Sequence, residues 1–509
     1  MPSTSAQRLR ALDLLKTRGM LRLKDFIAEG IGPETLARLV REEAVVRPAR
    51  GLYQLPDAHL EAAHTLAEAA VLVPKGVVCL TSALQYHELT LQMPSAVWMA
   101  IDRSAWRPKI DYPPIRFVRF TGSALTEGIE RHRIENVDVP ITDPARTIVD
   151  CFRYRTKIGL DVAMEGLREG LRRRRCKPDQ LWHTLARRGS GRSCVPTSKQ
   201  WCPMAREPRN IGASVRARLL DRARAERSDF QILLTRYALE RLLYRLSASP
   251  HRDRFILKGA MLFVTWIADP FRPTRDLDLL GHGDRDTEAI AETFRAICAQ
   301  PVVDDGVTFD VAALMATPIR EELEYGGVRV RTTATIAGAR IPIQVDIGFG
   351  DAITPAAVEI DYPTLLDAPT PHLRAYPVET VVAEKFAALV TLGVANSRLK
   401  DFYDLWVISR TFELRRAALA EAIQRTFERR GTVLPSVVPV GLTDEFAETW
   451  AAQWRAFLER DRMAAAPDAF AVTVADLRLF LMPLVVGLKE ERIWPPSGPW
   501  SPGAAIDEA

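Results

Sequence analysis

A chain of 509 residues, 47% hydrophobic and 26% charged, has the composition of a folded globular protein and the length of roughly three domains. Its 69 Lys and Arg against 64 Asp and Glu leave a net charge of +5, so any polyanionic partner must be met by local basic patches. The longest apolar runs, such as Phe480 to Leu488, are too short to span a bilayer, and the basic N-terminus lacks an apolar segment, so neither a membrane protein nor a signal peptide is expected. Six cysteines (Cys79, Cys151, Cys176, Cys194, Cys202, Cys298) show no paired spacing, which fits reduced thiols in a cytoplasmic protein better than disulfides or a zinc site.

Residues 1–55 have a compact pattern. Ala6 to Thr17 reads as an amphipathic helix with Leu9, Leu12 and Leu15 apolar, and Arg22 to Glu29 as a short second helix. Gly30-Ile31-Gly32 makes a turn before a third helix that starts at Pro33 and runs to Glu43. Val45 to Leu55 then alternates around a turn at Arg50-Gly51. Three helices and a β-hairpin describe a winged helix-turn-helix, with Thr35, Arg38 and Arg41 of the third helix directed at a DNA major groove and Arg47 and Arg50 on the wing. A small interaction module of the same shape, without DNA, is the alternative.

Residues 56–188 read as mixed α/β. Ala58 to Ala70 is an expected helix. Val77 to Leu80, Val97 to Ile101 and Ile115 to Phe120 are expected strands, and Thr142 to Phe152 and Gly159 to Arg172 are expected helices. The run Arg172-Arg173-Arg174-Arg175 is a solvated helix face or a nucleic-acid contact. His87 has no partner at metal spacing and reads as structural. Residues 189–204 lack any period and are punctuated by Gly, Pro and Ser, as a linker is. Met204-Ala205-Arg206 then looks like the start of a protein of its own, leading into helices Ala213 to Ala225 and Asp229 to Leu246.

The C-terminal half carries the chemistry. Gly259-Ala260 is expected to open a helix, Ala260 to Ile267, whose free N–H groups, with Lys258, Thr274 and Arg275 near by, would hold a triphosphate. If Arg275 to Leu280 is a strand, Asp276 and Asp278 project from one face about 7 Å apart. Asp346 lies in a second apolar run, Ile341 to Ile347, and a neighbouring strand would bring it beside the pair. Three crowded carboxylates repel one another unless a cation sits among them, and Mg²⁺ prefers oxygen ligands and substrate phosphates. Phosphoryl or nucleotidyl transfer from an NTP is the chemistry this favours. Downstream, Pro377 to Leu392 reads as a helix with Val378, Val381, Val382, Leu389 and Leu392 apolar and Lys385 inside that stripe. Lys385 either snorkels to water or meets an anion, and Asp401, on the apolar face of the helix after Arg398, is a candidate partner. Asp404 could instead cap or pair locally. Residues 495–509, rich in Pro, Gly and Ser, are expected to be a disordered tail.

Helix start, carboxylate pair on a strand and third carboxylate on a strand occur in the order found in DNA polymerase β-like nucleotidyltransferases, which this chain resembles. Lys258-Gly259-Ala260, Arg272 to Asp278, Gln344 to Gly348, Glu384-Lys385 and Arg398 to Leu405 together resemble the AbiEii toxins of type IV systems, the group that includes the MenT nucleotidyltransferases, over about residues 205–494. Ala260 stands where that pattern often has Gly or Ser. The winged head, Leu80 to His87 and Thr142 to Asp150 resemble the AbiEi antitoxins over about residues 5–188. The resemblance implies an antitoxin fused to a toxin in an α/β chain. The toxin half would transfer NMP from an NTP to RNA, with tRNA acceptor ends as a target. Asp276, Asp278 and Asp346 would be the metal ligands, Lys385 the cationic residue and Asp401 the late acidic residue. The antitoxin half would bind operator DNA and neutralise its partner half. An enzyme with a small-molecule acceptor, such as an antibiotic, and a non-catalytic regulator with a degenerate transferase module remain as alternatives.

Overall fold

In a computed structural model the residues described are 4–49, 51–56, 61–178, 211–267, 275–319, 326–461, 465–486 and 490–502, with a few isolated positions besides. The expected linker, Arg50 and Thr274 lie outside them.

The head is formed by α1 (Thr4–Arg18), β1 (Leu21–Arg22), α2 (Leu23–Ala28), α3 (Pro33–Arg41), β2 (Val46–Ala49) and β3 (Leu52–Gln54), with its strands in the order β1-β3-β2. Leu15, Phe26, Leu36, Leu39 and Val45 close a core of their own. Pro33 begins α3 at a position where no N–H is needed.

The next segment runs α4 (His64–Leu72), β4 (Val77–Val78), α5 (Leu80–Tyr86), β5 (Val97–Asp102), β6 (Ile115–Phe120), β7 (Ile129–Ile134), β8 (Val137–Thr142), α6 (Pro144–Arg153), α7 (Arg155–Ile158) and α8 (Leu160–Arg172). Its five strands lie in the order β6-β5-β4-β8-β7, with one apolar cluster built around Val97, Met99 and Val139 and another around Trp98, Ala100 and Ile148. Alternate residues of β5 thus serve opposite clusters, as strand geometry requires. The hairpin β7–β8 is an addition to the sequence reading. Its strands carry too many charged residues (Glu130, Arg131, Arg133, Asp138) to read as buried.

After helices Ile211–Glu226 and Phe230–Ala248 comes one mixed sheet of eight strands, ordered β11-β13-β14-β10-β9-β16-β15, with β12 on β13. These strands are β9 (Phe255–Lys258), β10 (Asp276–Gly281), β11 (Val307–Phe309), β12 (Met315–Ile319), β13 (Gly327–Ile336), β14 (Ala339–Phe349), β15 (Val358–Asp361) and β16 (His372–Ala375). Helices Val378–Leu392, Leu399–Thr411, Arg416–Arg429, Asp444–Asp461 and Phe470–Val485 follow and share one continuous core with the sheet. The expected helix from Ala260 is a 3-10 helix, Ala260–Thr265, not an α-helix, so it offers no long helix N-terminus. The tail expectation also fails in part. Ser501–Pro502 pairs with Arg492–Trp494, and Trp500, 9% exposed, packs against Phe480 and Trp494 and donates its indole N–H to the Phe480 carbonyl. The aromatic anchor outweighs a Pro- and Gly-rich composition there.

Among the described residues no helix is long and apolar enough to cross a membrane. Cys79, Cys151, Cys176 and Cys298 are free and buried.

Candidate active site

The site grows out of strand pairing. β10 runs parallel to β14, with Asp276 opposite Gln344 and Asp278 opposite Asp346. Leu277, Leu279, Val345 and Ile347 point to the core, so the strand period turns the three aspartates to the other face. One carboxylate oxygen from each of Asp276, Asp278 and Asp346 lies within 4.8 Å of the others. This is the juxtaposition expected from the two sequence runs. Burial, then Asp276 and Asp346 beside it, pushes the Asp278 carboxyl up to about 7. A carboxyl that holds its proton near neutrality is a group short of positive charge.

On the far side of β10, antiparallel β9 sets Lys258 opposite Asp278. Gly259 has φ +73, and a Cβ built on it would stand 2.0 Å from Asp278 Oδ2. Only glycine fits, because the backbone presses directly onto the carboxylate. Ala260 is buried behind it. The Lys258 ammonium turns to Asp351 Oδ2 at 2.6 Å and reaches Glu384 Oε1 at 3.6 Å. Arg430 contacts the same two acids and Tyr376 donates to Glu384. Burial works against the Lys258 charge, but Glu384, Tyr376 and Asp351 outweigh it and hold its pKa well above the ordinary value.

Arg329 was not anticipated. It lies on β13 opposite Asp346, donating Nε to Oδ1 at 2.7 Å and Nη2 to Oδ2 at 2.6 Å. The alternation of Gly327–Ile336 turns Arg329 away from the core face, where it is half-buried, but only the antiparallel register reveals its partner. Asp351 and Arg430 were likewise missed, since each lies far in sequence from Lys258.

Lys385 does not snorkel. Its ammonium bridges Asp401 Oδ1 and Asp404 Oδ2, both at 2.7 Å, with the Phe263 ring 5.9 Å away. Asp401 is thus the partner expected, and Asp404 pairs locally as its alternative reading held. Burial opposes the Asp401 charge, but Lys385 and Lys400 prevail and bring its pKa down to about 2.

Arg275 departs from expectation. Its side chain is buried and donates Nη1 to the Thr90 carbonyl of the N-terminal half at 3.1 Å, so it is committed to that contact and not to a phosphate. In the head, Thr35 is buried with its hydroxyl donated to Gln7 Oε1 at 2.9 Å, which removes it from a DNA surface. The third position of this helix faces its neighbour, whereas Glu34 before it is exposed. Arg41 and Arg47 are exposed and Arg38 half-exposed beside Glu42. His87 donates its Nε2–H to the Thr142 carbonyl, 2.7 Å away, in a structural role.

Residues 241–475, which hold the three converging carboxylates and the glycine-lined strand end, match the family model "Nucleotidyl transferase AbiEii toxin, Type IV TA system", a nucleotidyltransferase. Residues 10–56 match "Transcriptional regulator, AbiEi antitoxin", so the chain joins an AbiEi antitoxin head and an AbiEii toxin region, the make-up of a fused AbiE toxin–antitoxin. Two solved structures are similar over 48% of this chain, each at 12% identity: a putative nucleotidyltransferase from H. pylori (91% of that chain, TM-score 0.31) and JHP933 from Helicobacter pylori (88%, TM-score 0.30). No curated protein matches the chain.

Proposed function

We propose that the C-terminal half transfers a nucleoside monophosphate from an NTP to an RNA acceptor, with tRNA acceptor ends as the target, and that it requires Mg²⁺. The observation that supports this best is the cluster of three carboxylates within 4.8 Å on adjacent strands. An all-oxygen donor set with a proton retained on Asp278 suits a hard divalent cation. Asp276, Asp278 and Asp346 would hold it. When bound, such an ion polarises phosphoryl oxygens and neutralises their charge.

The remaining work falls to side chains. The turn at Gly259 and Ala260 beside Asp278 would receive the triphosphate on the β9 side, with Lys258 exchanging Asp351 and Glu384 for a phosphate oxygen. Arg329 orients Asp346. Lys385 fixes Asp401 and the helix that carries Lys400 towards the cleft. In the reaction the acceptor hydroxyl forms a bond to the α-phosphorus, the bond to pyrophosphate breaks, and the hydroxyl proton leaves to water. The head, through Arg38, Arg41 and Arg47, would bind operator DNA as the regulator of the pair.

Incubation of the full-length chain and of residues 204–509 with total RNA and each labelled NTP in Mg²⁺ tests the reading. Labelled RNA that disappears with Asp278→Asn supports it. Absence of label from every RNA, with label on a small-molecule acceptor, would replace RNA by that acceptor.

A further inference from the structure

We infer that the N-terminal half forms one wall of the catalytic cleft and keeps polymeric acceptors out of it, a step that rests on the nucleotidyl-transfer reading above. A cavity of about 420 Å³ lies between the halves. Asp276, Arg329 and Gln344 line it on the sheet side, where Asp346 sits next to Gln344 and Arg329. The loop Glu88–Met93 and α8 line it on the other. That volume falls within the about 300–1,000 Å³ of small-ligand pockets, enough for one nucleotide but not for a folded RNA end.

The wall is tied at both ends. Arg275, adjacent to Asp276, donates to the buried Thr90 carbonyl. At the opposite end Ser95 Oγ donates to the Arg460 carbonyl at 2.6 Å, and Arg460 Nη1 donates to the Ile158 carbonyl at 2.7 Å, both buried. Farther off, Thr65 donates to Asp229 at 3.0 Å and Gln85 to Gln231 at 3.2 Å. An arginine pulled from such a carbonyl while still buried loses its partner without gaining water, so these contacts part together or not at all.

The charges on the two faces are complementary. The transferase face presents Arg329, Arg398 and Lys400, the kind of cations that RNA phosphates need. The N-terminal wall presents Glu88, Asp161, Glu165 and Glu169, the last three four residues apart on one face of α8, against Arg168 and Arg173. Glu165 accepts from the Leu91 N–H at 2.7 Å and so fixes the loop to the helix; burial raises its pKa, and Lys400 near by works against that rise. Glu169 and Arg329 line the same cavity from opposite sides. Arg173 in the same wall is answered by Glu88 and Glu169. Carboxylates therefore occupy the ground that acceptor phosphates would take, and the covalent link makes their local concentration high.

Two readouts on the full-length chain test this. Backbone hydrogen exchange over 88–93, 160–172 and 396–401 reports docking. Transfer of labelled NMP to total tRNA, and to a dinucleotide acceptor, reports the barrier. Exchange is expected to be slow in the wild type and at least tenfold faster in Glu165→Lys, where like charge meets Lys400, with tRNA labelling up at least tenfold. Asp161→Lys, on the first turn of α8, serves as a second variant should Glu165→Lys disturb the loop. Fast exchange over all three segments in the wild type would overturn the docked wall. Faster exchange in both variants, with tRNA labelled by wild type and variants at the same measurable rate, would overturn the barrier. Labelling of the dinucleotide but never of tRNA, with exchange responding as expected, would refute the tRNA reading while supporting the wall.

Discussion

Arg329 grips Asp346 with two nitrogens, Nε at 2.7 Å and Nη2 at 2.6 Å, and so places a fixed positive charge against the third carboxylate of the cluster. A forked pair of this kind orients the carboxylate as well as neutralising it. Arg329→Gln is expected to lower the stability of the metal-free protein by about 1.5–3 kcal/mol, the usual contribution of a hydrogen bond to a charged group. Added Mg²⁺ should return part of the loss by supplying the missing charge. Melting curves with EDTA and with Mg²⁺ check this. An unchanged midpoint in EDTA would mean that the pair is idle.

Asp278 makes the cluster sensitive to pH. Burial, with Asp276 and Asp346, lifts its pKa from 3.8 unfolded to about 7 folded. Between those values the folded chain holds more protons than the unfolded one, so stability falls as pH rises through that window and the loss is complete above about 7. Asp278→Asn removes that penalty. In EDTA it should melt above the wild type at pH 8, with the gap closing towards pH 4, yet it should lose Mg²⁺-dependent transfer. A variant that melts below the wild type at pH 8, or that keeps full activity, contradicts the assignment.

Lys385 bridges two buried acids, so its removal leaves both without their shared cation. Lys385→Met keeps the length and drops the charge. The expected cost is about 3–5 kcal/mol, as for one partner removed from a buried pair, together with loss of activity. Chemical denaturation measures the first and NMP transfer the second. A shift below about 1 kcal/mol would show that solvent reaches the acids.

In the head, Arg41 and Arg47 are exposed whereas Thr35 is tied to Gln7. Arg41→Ala and Arg47→Ala should each weaken promoter binding and lower the salt slope by about 1 if the arginine meets a phosphate. Thr35→Ala should leave binding unchanged and cost only stability. Gel-shift titrations over a salt series separate these outcomes. Equal affinity for promoter and random DNA would remove the operator-specific role.

Much of this was legible in the sequence because it is local or periodic. The period of two in Asp276–Gly281 and in Ala339–Phe349 set all three aspartates on one face, and the i+4 stripe around Lys385 pointed to Asp401. What escaped depends on register and on long-range contact. Arg329 meets Asp346 only through the β13–β14 pairing, Lys258 meets Asp351 across the chain, and Arg275 turns to a carbonyl in the other half. A 3-10 helix in place of the helix expected from Ala260 reflects the apolar run Met261-Leu262-Phe263, buried on all sides, which carries no helical period to read.

The central claim, NMP transfer at the aspartate cluster, is met most directly by labelling with an NTP carrying the isotope on either the α- or the γ-phosphate. The full-length chain with Glu165→Lys, total tRNA and Mg²⁺ is incubated with each, beside the same chain bearing Asp278→Asn. The account predicts α-label on the RNA, γ-label released as pyrophosphate, and neither in the Asp278→Asn chain. γ-Label on the RNA, or α-label that persists without Asp278, would contradict it.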